Sequence, residues 1–145
     1  LESIVRQAVR RYAPLFIRKK IRLELGTLSS EVLTDEKWLC FVVEQLLSNS
    51  LKYTPKGTIS IREEPGKVLV IEDTGIGIAQ EDLPRIFEKG FTGKNGRSDK
   101  RATGLGLYLC RRVLEKLSHR MEIRSQPGKG TQVRLYLDSS PEIWQ

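Results

Sequence analysis

Residues 58–72 read TISIREEPGKVLVIE, and this stretch decides the fold class. Ile59 and Ile61 alternate with polar residues, and an apolar run that begins at Val68 follows the turn pair Pro65-Gly66. Alternation, turn and apolar run together predict a β-hairpin. A hairpin pairs its strands antiparallel, so it excludes a sheet built only from parallel βαβ units.

The flanking sequence adds strands and helices to this hairpin. The spacing of apolar residues predicts further strands over 21–25, 121–125 and 132–137, and helices over 1–18 (broken or kinked near Pro14), 36–53 and 105–117, with a short helix over 81–87. We therefore expect one domain over residues 1–145 of the α/β (α+β) class. It is a two-layer sandwich with one mixed sheet of about five strands and about three helices on one face.

Composition limits the function classes. Two cysteines, Cys40 and Cys110, exclude a disulfide scaffold and a four-cysteine zinc site, and a single histidine, His119, excludes sites that need a histidine pair. The formal net charge of +7 lies in two segments: residues 1–24 carry +5 and residues 89–101 carry +4, which leaves −2 elsewhere. The charge of the first segment is typical of a solvated helix face, and we assign no function to it.

A polar face on the helix over 36–53 is the first candidate site. Gln45, Asn49, Lys52 and Tyr53 share this face because they lie three or four residues apart. An amide oxygen can ligate Mg²⁺, and a lysine one turn further can meet the same phosphates. The alternative is an ordinary exposed face near a helix end.

Two glycine-rich segments are further candidates. The segment from Asp73 to Ile78 directly follows the strand that begins at Val68. The Asp73 carboxylate could accept a hydrogen bond from an exocyclic amine, and Gly75 and Gly77 would let the backbone approach a planar ring. Thr103 to Leu107 begins a helix whose N-terminal amides form an anion site. A plain turn and a plain helix cap are the alternatives. The P-loop and dinucleotide-binding fingerprints are both incomplete.

Five segments in order resemble the catalytic ATP-binding domain of sensor histidine kinases, within the ATP-lid (Bergerat) superfamily. They correspond to the N, G1, F, G2 and G3 boxes of that family: Asn49 in EQLLSNSLKYT, Asp73 to Ile78 (DTGIGI), Phe87 in IFEKGFTG, Thr103 to Leu107 (TGLGL) and Gly128 to Thr131 (GKGT). The lid sequence GFTGKNGR beside TGLGLYL further resembles the antimicrobial-peptide-sensing membrane kinases of Gram-positive bacteria.

The resemblance implies a binding site for ATP and Mg²⁺. Asn49 would hold Mg²⁺, Lys52 would contact the phosphates and Asp73 would accept from the adenine amino group, with Thr131 behind it. The remaining ATP-binding residues implied are Tyr53, Gly75, Gly77, Ile78, Phe87, Thr103, Gly104, Leu105, Gly106 and Leu107. A lid over about 88–102 would add the cations Lys89, Lys94, Arg97, Lys100 and Arg101.

One position separates kinases from hydrolases within this superfamily. ATP-hydrolysing relatives place a water-activating glutamate one helical turn before the Mg²⁺ asparagine, and here that residue is Gln45, whose amide cannot act as a general base. Glu44 is adjacent but lies about 100° round the helix. We therefore expect slow ATP hydrolysis and no certain catalytic residue, with Glu44 and Gln45 as the candidates near the phosphates.

The family's phosphoacceptor histidine lies on a separate dimerising helix, and His119 does not match it. Arg120 follows His119 where an acidic residue is typical, so we expect His119 to be structural and partly charged at a helix C-terminus. The acceptor helix, the membrane spans and a sensor are expected before Leu1.

By resemblance, the partners are the receptor's own dimerisation domain and a response regulator. The full receptor would be a plasma-membrane homodimer, and this segment its monomeric cytoplasmic domain. An ATPase of the same superfamily is one alternative. A basic nucleic-acid-binding module is another, disfavoured because Phe91 is the one aromatic residue in segment 89–101; we expect no nucleic-acid partner.

Overall fold

The computed structural model describes residues 1–88 and 106–138. The helices are α1 (Glu2–Lys19), α2 (Glu36–Lys52) and α3 (Gly106–Lys116), with a 3₁₀ turn at Leu83–Arg85. The strands are β1 (Arg22–Leu25), β2 (Thr58–Glu64), β3 (Val68–Asp73), β4 (Arg120–Gln126) and β5 (Gly130–Tyr136). Within residues 1–88 and 106–138, the three helices and five strands agree with the sequence-based prediction.

The five strands form one mixed sheet in the order β1-β2-β3-β5-β4. β1 pairs parallel with β2, and the other three pairings are antiparallel. β2 and β3 are the expected hairpin, and β4 and β5 are the second one. The parallel pair arises because the chain between β1 and β2 contains α2, which crosses over the sheet.

The helices cover one face of the sheet, which confirms the two-layer architecture. α2 packs between α1 and α3 and also contacts β3. The side chains that point from the sheet into this layer are buried and apolar: Ile59, Ile61, Leu69, Ile71, Val133 and Leu135. They alternate along their strands with residues of the other face, as a half-covered sheet requires.

The other face of the sheet carries charged side chains that pair across strands. The Nη1 atom of Arg62 lies 2.8 Å from a Glu72 carboxylate oxygen, and the Nη2 atom of Arg134 lies 2.6 Å from Glu64. Val70 lies between Arg62 and Arg134 in the strand register and is 0% exposed. The aliphatic parts of the arginines can shield this valine from water while their charged ends stay hydrated.

Of the break or kink expected near Pro14, the break is wrong, since α1 runs through this residue. Pro14 and Arg10 are both exposed, so water can satisfy the Arg10 carbonyl that the missing proline N–H leaves unpaired. The helix expected over 81–87 shortens to the 3₁₀ turn, which has Pro84 near its start.

An aspartate caps the start of α2. Asp35 is the N-cap, and its carboxylate accepts a 3.0 Å hydrogen bond from the backbone amide of Trp38. The cap fixes where α2 begins, and thus which of its residues reach the end of β3.

Within 1–88 and 106–138, no helix is both long and apolar enough for a membrane crossing.

Candidate functional site

The C-terminal end of α2 is fastened to the loop that follows β3. The backbone amide of Ile76 donates to the Tyr53 carbonyl oxygen at 3.0 Å, and the amide of Tyr53 donates to the Asn49 carbonyl oxygen at 3.1 Å. Lys52 Nζ lies 5.4 Å from the centroid of the Tyr53 ring. The polar face of α2 predicted from spacing therefore adjoins the loop that follows Asp73.

Asp73 is a buried carboxylate at the end of β3, with 6% of its surface exposed. Its Oδ1 atom accepts hydrogen bonds from the backbone amides of Gly75 at 3.0 Å and Thr131 at 3.2 Å. Burial raises the pKa of Asp73, while the Gly75 amide, the Ser50 hydroxyl and the Thr131 amide act in the opposite direction. Desolvation is the largest of these effects, and the three donors partly offset it.

Sequence reasoning missed Ser50, which lies beside Asn49 on α2. Ser50 faces the buried side of the helix and is itself buried, so its hydroxyl reaches Asp73 rather than water. A polar residue on an otherwise apolar helix face was the available signal, because a buried hydroxyl needs a partner.

Thr54 was also missed. It is 0% exposed, and its Oγ1 atom is buried without a hydrogen-bond partner among the described residues. A side chain on Gly75 would place its Cβ 2.7 Å from this oxygen and 2.3 Å from the Tyr53 carbonyl oxygen. Gly75 is thus required by the close packing of its loop against the end of α2.

The glycine-rich loop after Asp73 interlocks with the turn between β4 and β5. Gly77 has φ +76°, and a Cβ there would lie 2.1 Å from the Gln126 carbonyl oxygen. Gly130 has φ +106°, and its Cβ would lie 2.0 Å from the Asp73 carbonyl oxygen. Gly77 was expected from the sequence to let the backbone approach a ligand ring, but both glycines instead permit contact between two protein backbones.

Thr131 lies where the resemblance implied, directly opposite Asp73 in the register of β3 and β5. The backbone amide of Ile78 donates to the hydroxyl of Ser125 on β4 at 2.8 Å. The G1 and G3 segments therefore form one unit around the carboxylate.

The start of α3 approaches α2 one turn before Asn49. A Cβ on Gly106 would lie 3.2 Å from Gln45 Oε1, so the first residue of α3 touches the predicted polar face. Leu107 packs its side chain against the core. Thr103, Gly104 and Leu105 lie outside the described residues, as do the lid cations Lys89, Lys94, Arg97, Lys100 and Arg101.

Glu44 and Gln45 point in different directions. Glu44 Oε2 lies 3.6 Å from Arg11 Nη1 on α1, whereas Gln45 reaches the start of α3. The only carboxylate of the pair is thus directed away from Asn49. Among residues 1–88 and 106–138, no cluster of three or more His, Cys, Asp or Glu side chains could hold a metal ion.

A Mg²⁺ site built on Asn49 fits this donor set. Mg²⁺ keeps several waters and is often held by one or two protein oxygens together with substrate phosphates. Asn49 offers an amide oxygen on the last turns of α2, half-buried and one turn from the Gln45–Gly106 contact. It is therefore a suitable ligand for a metal that arrives with a nucleotide.

Phe87 is not brought to Asp73. The Arg111 guanidinium lies 5.1 Å from the centroid of its ring, and Phe87 lines a cleft with His119 and Met121. This cleft adjoins the first residues of β4, about 16 Å along the strand from Ser125 at ~3.3 Å per residue. The resemblance placed Phe87 among the ATP-binding residues, and the described geometry leaves it apart from the Asp73 cluster.

His119 is buried, with 4% of its surface exposed. Its Nε2 atom lies 3.0 Å from Thr34 Oγ1, and its backbone amide donates to the Leu114 carbonyl oxygen at 2.8 Å. Burial lowers the pKa of His119, so the ring is neutral at neutral pH. The expected structural placement agrees with these contacts, but the expected partial charge is wrong because desolvation outweighs the helix dipole.

Comparison with known proteins gives a family match over most of the chain. The model of the family described as "Histidine kinase-, DNA gyrase B-, and HSP90-like ATPase" matches residues 34–141. Sensor protein BceS of Halalkalibacterium halodurans is 43% identical over 146 residues, which cover 99% of this chain and 44% of that protein. Sensor histidine kinase YxdK of Bacillus subtilis is 32% identical over 140 residues, 92% of this chain and 43% of that protein.

The chain thus spans less than half the length of these curated relatives. Among solved structures, full-length ShkA in complex with AMPPNP superposes with a TM-score of 0.77 at 22% identity, covering 94% of this chain and 29% of ShkA. At this identity the likeness shows the fold.

Proposed function

Because this chain belongs to the family of histidine kinase-, DNA gyrase B- and HSP90-like ATPases, we propose that it binds ATP with Mg²⁺ and donates the γ-phosphate to a histidine. That histidine lies on a separate dimerisation helix of the same receptor. The phosphoryl group then passes to an aspartate of a response regulator, as in two-component signalling. Residues 1–145 constitute the catalytic domain in this proposal.

The observation that carries the proposal is the buried carboxylate of Asp73. Its burial, with amides of Gly75 and Thr131 on Oδ1, creates an acceptor that water reaches poorly. A carboxylate in such a place is costly unless a ligand donor meets it, and the adenine 6-amino group is such a donor. The AMPPNP complex of ShkA, a structural relative, supports a nucleotide as the ligand.

The phosphates would lie between α2 and the start of α3. Lys52 supplies positive charge, and the N-terminal amides and dipole of α3 favour an anion. Mg²⁺, when bound through Asn49, neutralises phosphate charge. Phosphoryl transfer needs mostly positioning and charge neutralisation from the protein, so the lack of a base at Gln45 is compatible with transfer to histidine.

The receptor as a whole is also part of the proposal. The relatives named sensor protein and sensor histidine kinase support a sensory role for the whole protein. The resemblance of the lid sequence to the antimicrobial-peptide-sensing kinases supports a membrane receptor of that group. In this arrangement the receptor is a homodimer, the present domain is cytoplasmic and monomeric by itself, and no nucleic acid takes part.

The test is phosphotransfer in a mixture of this domain, γ-labelled ATP, Mg²⁺ and a dimerisation-helix fragment of its receptor. We expect acid-labile phosphohistidine on the fragment. Asn49→Ala should reduce it to background, and Gln132→Ala, on the opposite face of the sheet, should not change it. Nucleotide binding without transfer to any fragment that carries the receptor's histidine would refute the kinase role.

An ATP-hydrolysing enzyme of the same superfamily is the second candidate. The positions of Glu44 and Gln45 disfavour it, since Glu44 is paired with Arg11 on α1. We expect a phosphate-release rate near background, unchanged by Glu44→Ala. Fast hydrolysis that Glu44→Ala abolishes would favour the ATPase.

A further inference from the structure

Ser125 joins three backbone segments at the end of the sheet. Asp73, Thr131 and Ser125 lie directly opposite one another on β3, β5 and β4, so their side chains share the helix-covered face. The Ser125 hydroxyl contacts the Ile78 amide at 2.8 Å, the Gly130 carbonyl oxygen at 2.9 Å and Thr131 Oγ1 at 2.9 Å.

These three contacts fix the direction of each hydrogen bond. A serine hydroxyl has one hydrogen to donate and two lone pairs that accept. The Gly130 carbonyl can only accept, so it takes the Ser125 hydrogen, and the Ile78 amide can only donate. The remaining contact is then a hydrogen bond from Thr131 Oγ1 to Ser125. The hydrogen of the Thr131 hydroxyl is therefore committed, and only its lone pairs remain for a ligand.

The neighbouring carboxylate of Asp73 is likewise a hydrogen-bond acceptor. Asp73 is an acceptor when ionised, and the Thr131 amide that donates to its Oδ1 at 3.2 Å couples the two residues. Both ligand-facing groups at this end of the sheet then accept hydrogen bonds. A purine with an amino group at position 6 donates there, whereas a purine with an oxo group presents another acceptor.

We propose that Ser125 is a positioning residue that fixes the Thr131 hydroxyl as an acceptor and so makes the site select 6-amino over 6-oxo purine nucleotides. The inference rests on the proposed nucleotide binding. Without the Ser125 hydroxyl, Thr131 can rotate and donate to an oxo group. One hydrogen bond of changed direction corresponds to a selectivity change of about tenfold.

The test compares the dissociation constants of ATP and inosine triphosphate, each with Mg²⁺, by competition against a fluorescent nucleotide. Ser125→Ala should reduce the ratio of the two affinities about tenfold. Ser125→Thr retains a hydroxyl and should restore the ratio. Ser60→Ala, the same change on the other face of the sheet, is the matched control and should leave it unchanged. A purely structural role for Ser125 would weaken both nucleotides equally and leave the ratio intact, which would overturn the inference.

A double-mutant cycle covers the case in which Ser125→Ala does not fold. Thr131→Val removes the hydroxyl that Ser125 is proposed to orient, so Ser125→Cys, with its weak thiol donor, should lower the ratio in the wild-type background and not in Thr131→Val. Equal effects of Ser125→Cys in both backgrounds would overturn the inference. Absence of any ATP binding by the wild-type domain would overturn the proposed function as well, whereas ATP binding with an unchanged ratio in the Ser125 variants overturns the inference alone.

Discussion

Strand β4 connects two regions that each bury an ionisable side chain and treat it differently. At one end, Asp73 accepts hydrogen bonds from the amides of Gly75 and Thr131. At the other, His119 contacts Thr34 through its ring and is neutral, because burial lowers its pKa. Burial opposes charge at both ends, and around Asp73 three hydrogen-bond donors partly offset this effect.

The backbone shows the same difference. Around Asp73, Gly77 and Gly130 allow carbonyl contacts that a Cβ would prohibit, so the loop and the turn hold each other in place. The ring of His119 contacts the Thr34 hydroxyl, and its backbone amide donates to the Leu114 carbonyl oxygen. A buried group that is held rigidly by its neighbours and can still accept further hydrogen bonds is typical of a ligand site. A buried group whose ring is already hydrogen-bonded is typical of a structural residue.

The largest expected effect is on the backbone contact at Gly77. Gly77→Ala should lower the free energy of unfolding by about 3 kcal/mol, since it combines left-handed backbone strain with a clash against Gln126. Gly128→Ala is the matched control: its φ is +78° with nothing within 4 Å, so strain alone should cost about 1 kcal/mol. Denaturant unfolding measures both, and equal losses would contradict the interlocking of the two turns.

The second effect is the pH dependence that His119 contributes. A lowered folded-state pKa means that the unfolded chain binds the proton first, so stability should fall as pH drops below about 6.5. The slope cannot exceed about 1.4 kcal/mol per pH unit for one proton. His119 is the single histidine, so His119→Gln should flatten the unfolding free energy between pH 7 and pH 5.5. An unchanged slope would show that the ring is not desolvated.

The smallest expected effect is on stability at Asp73. Its pH dependence has the opposite sign to that of His119, since stability falls as pH rises. The raised pKa of Asp73 means that its contribution to stability is present at low pH and is lost as pH rises through that pKa. Asp73→Asn should leave the thermal midpoint unchanged or raise it. Glu72→Gln on the same strand breaks the ion pair with Arg62 and should lower it slightly.

The sequence predicted the sheet well, because alternation in β2 and the turn at Pro65-Gly66 are local signals. Helix continuity at Pro14 could not be predicted, since it depends on the exposure of Arg10 in the folded state. The short helix over 81–87 was overestimated for a related reason: a few apolar residues do not distinguish a 3₁₀ turn from an α-helix.

Candidate site residues divide in the same way. Asn49, Asp73 and Thr131 belong to motifs and were named from sequence. Ser125 was missed because its role depends on the register of three strands, two of them distant in the chain. Ser50 was missed although a polar residue on an apolar helix face was a signal for it. The direction in which the Glu44 side chain points could not be predicted from the sequence either, since its partner Arg11 lies on another helix, α1.

The proposed nucleotide site depends on a hydrogen bond from adenine to Asp73, and calorimetric titration of the domain with ATP and Mg²⁺ measures the effect of this contact on affinity. The wild-type domain should bind, and Asp73→Asn, which presents an amide to the adenine amine, should bind about a hundredfold more weakly or worse while its thermal midpoint does not fall. Glu72→Gln should bind as the wild type does. Equal ATP affinity in Asp73→Asn and the wild type would contradict the account.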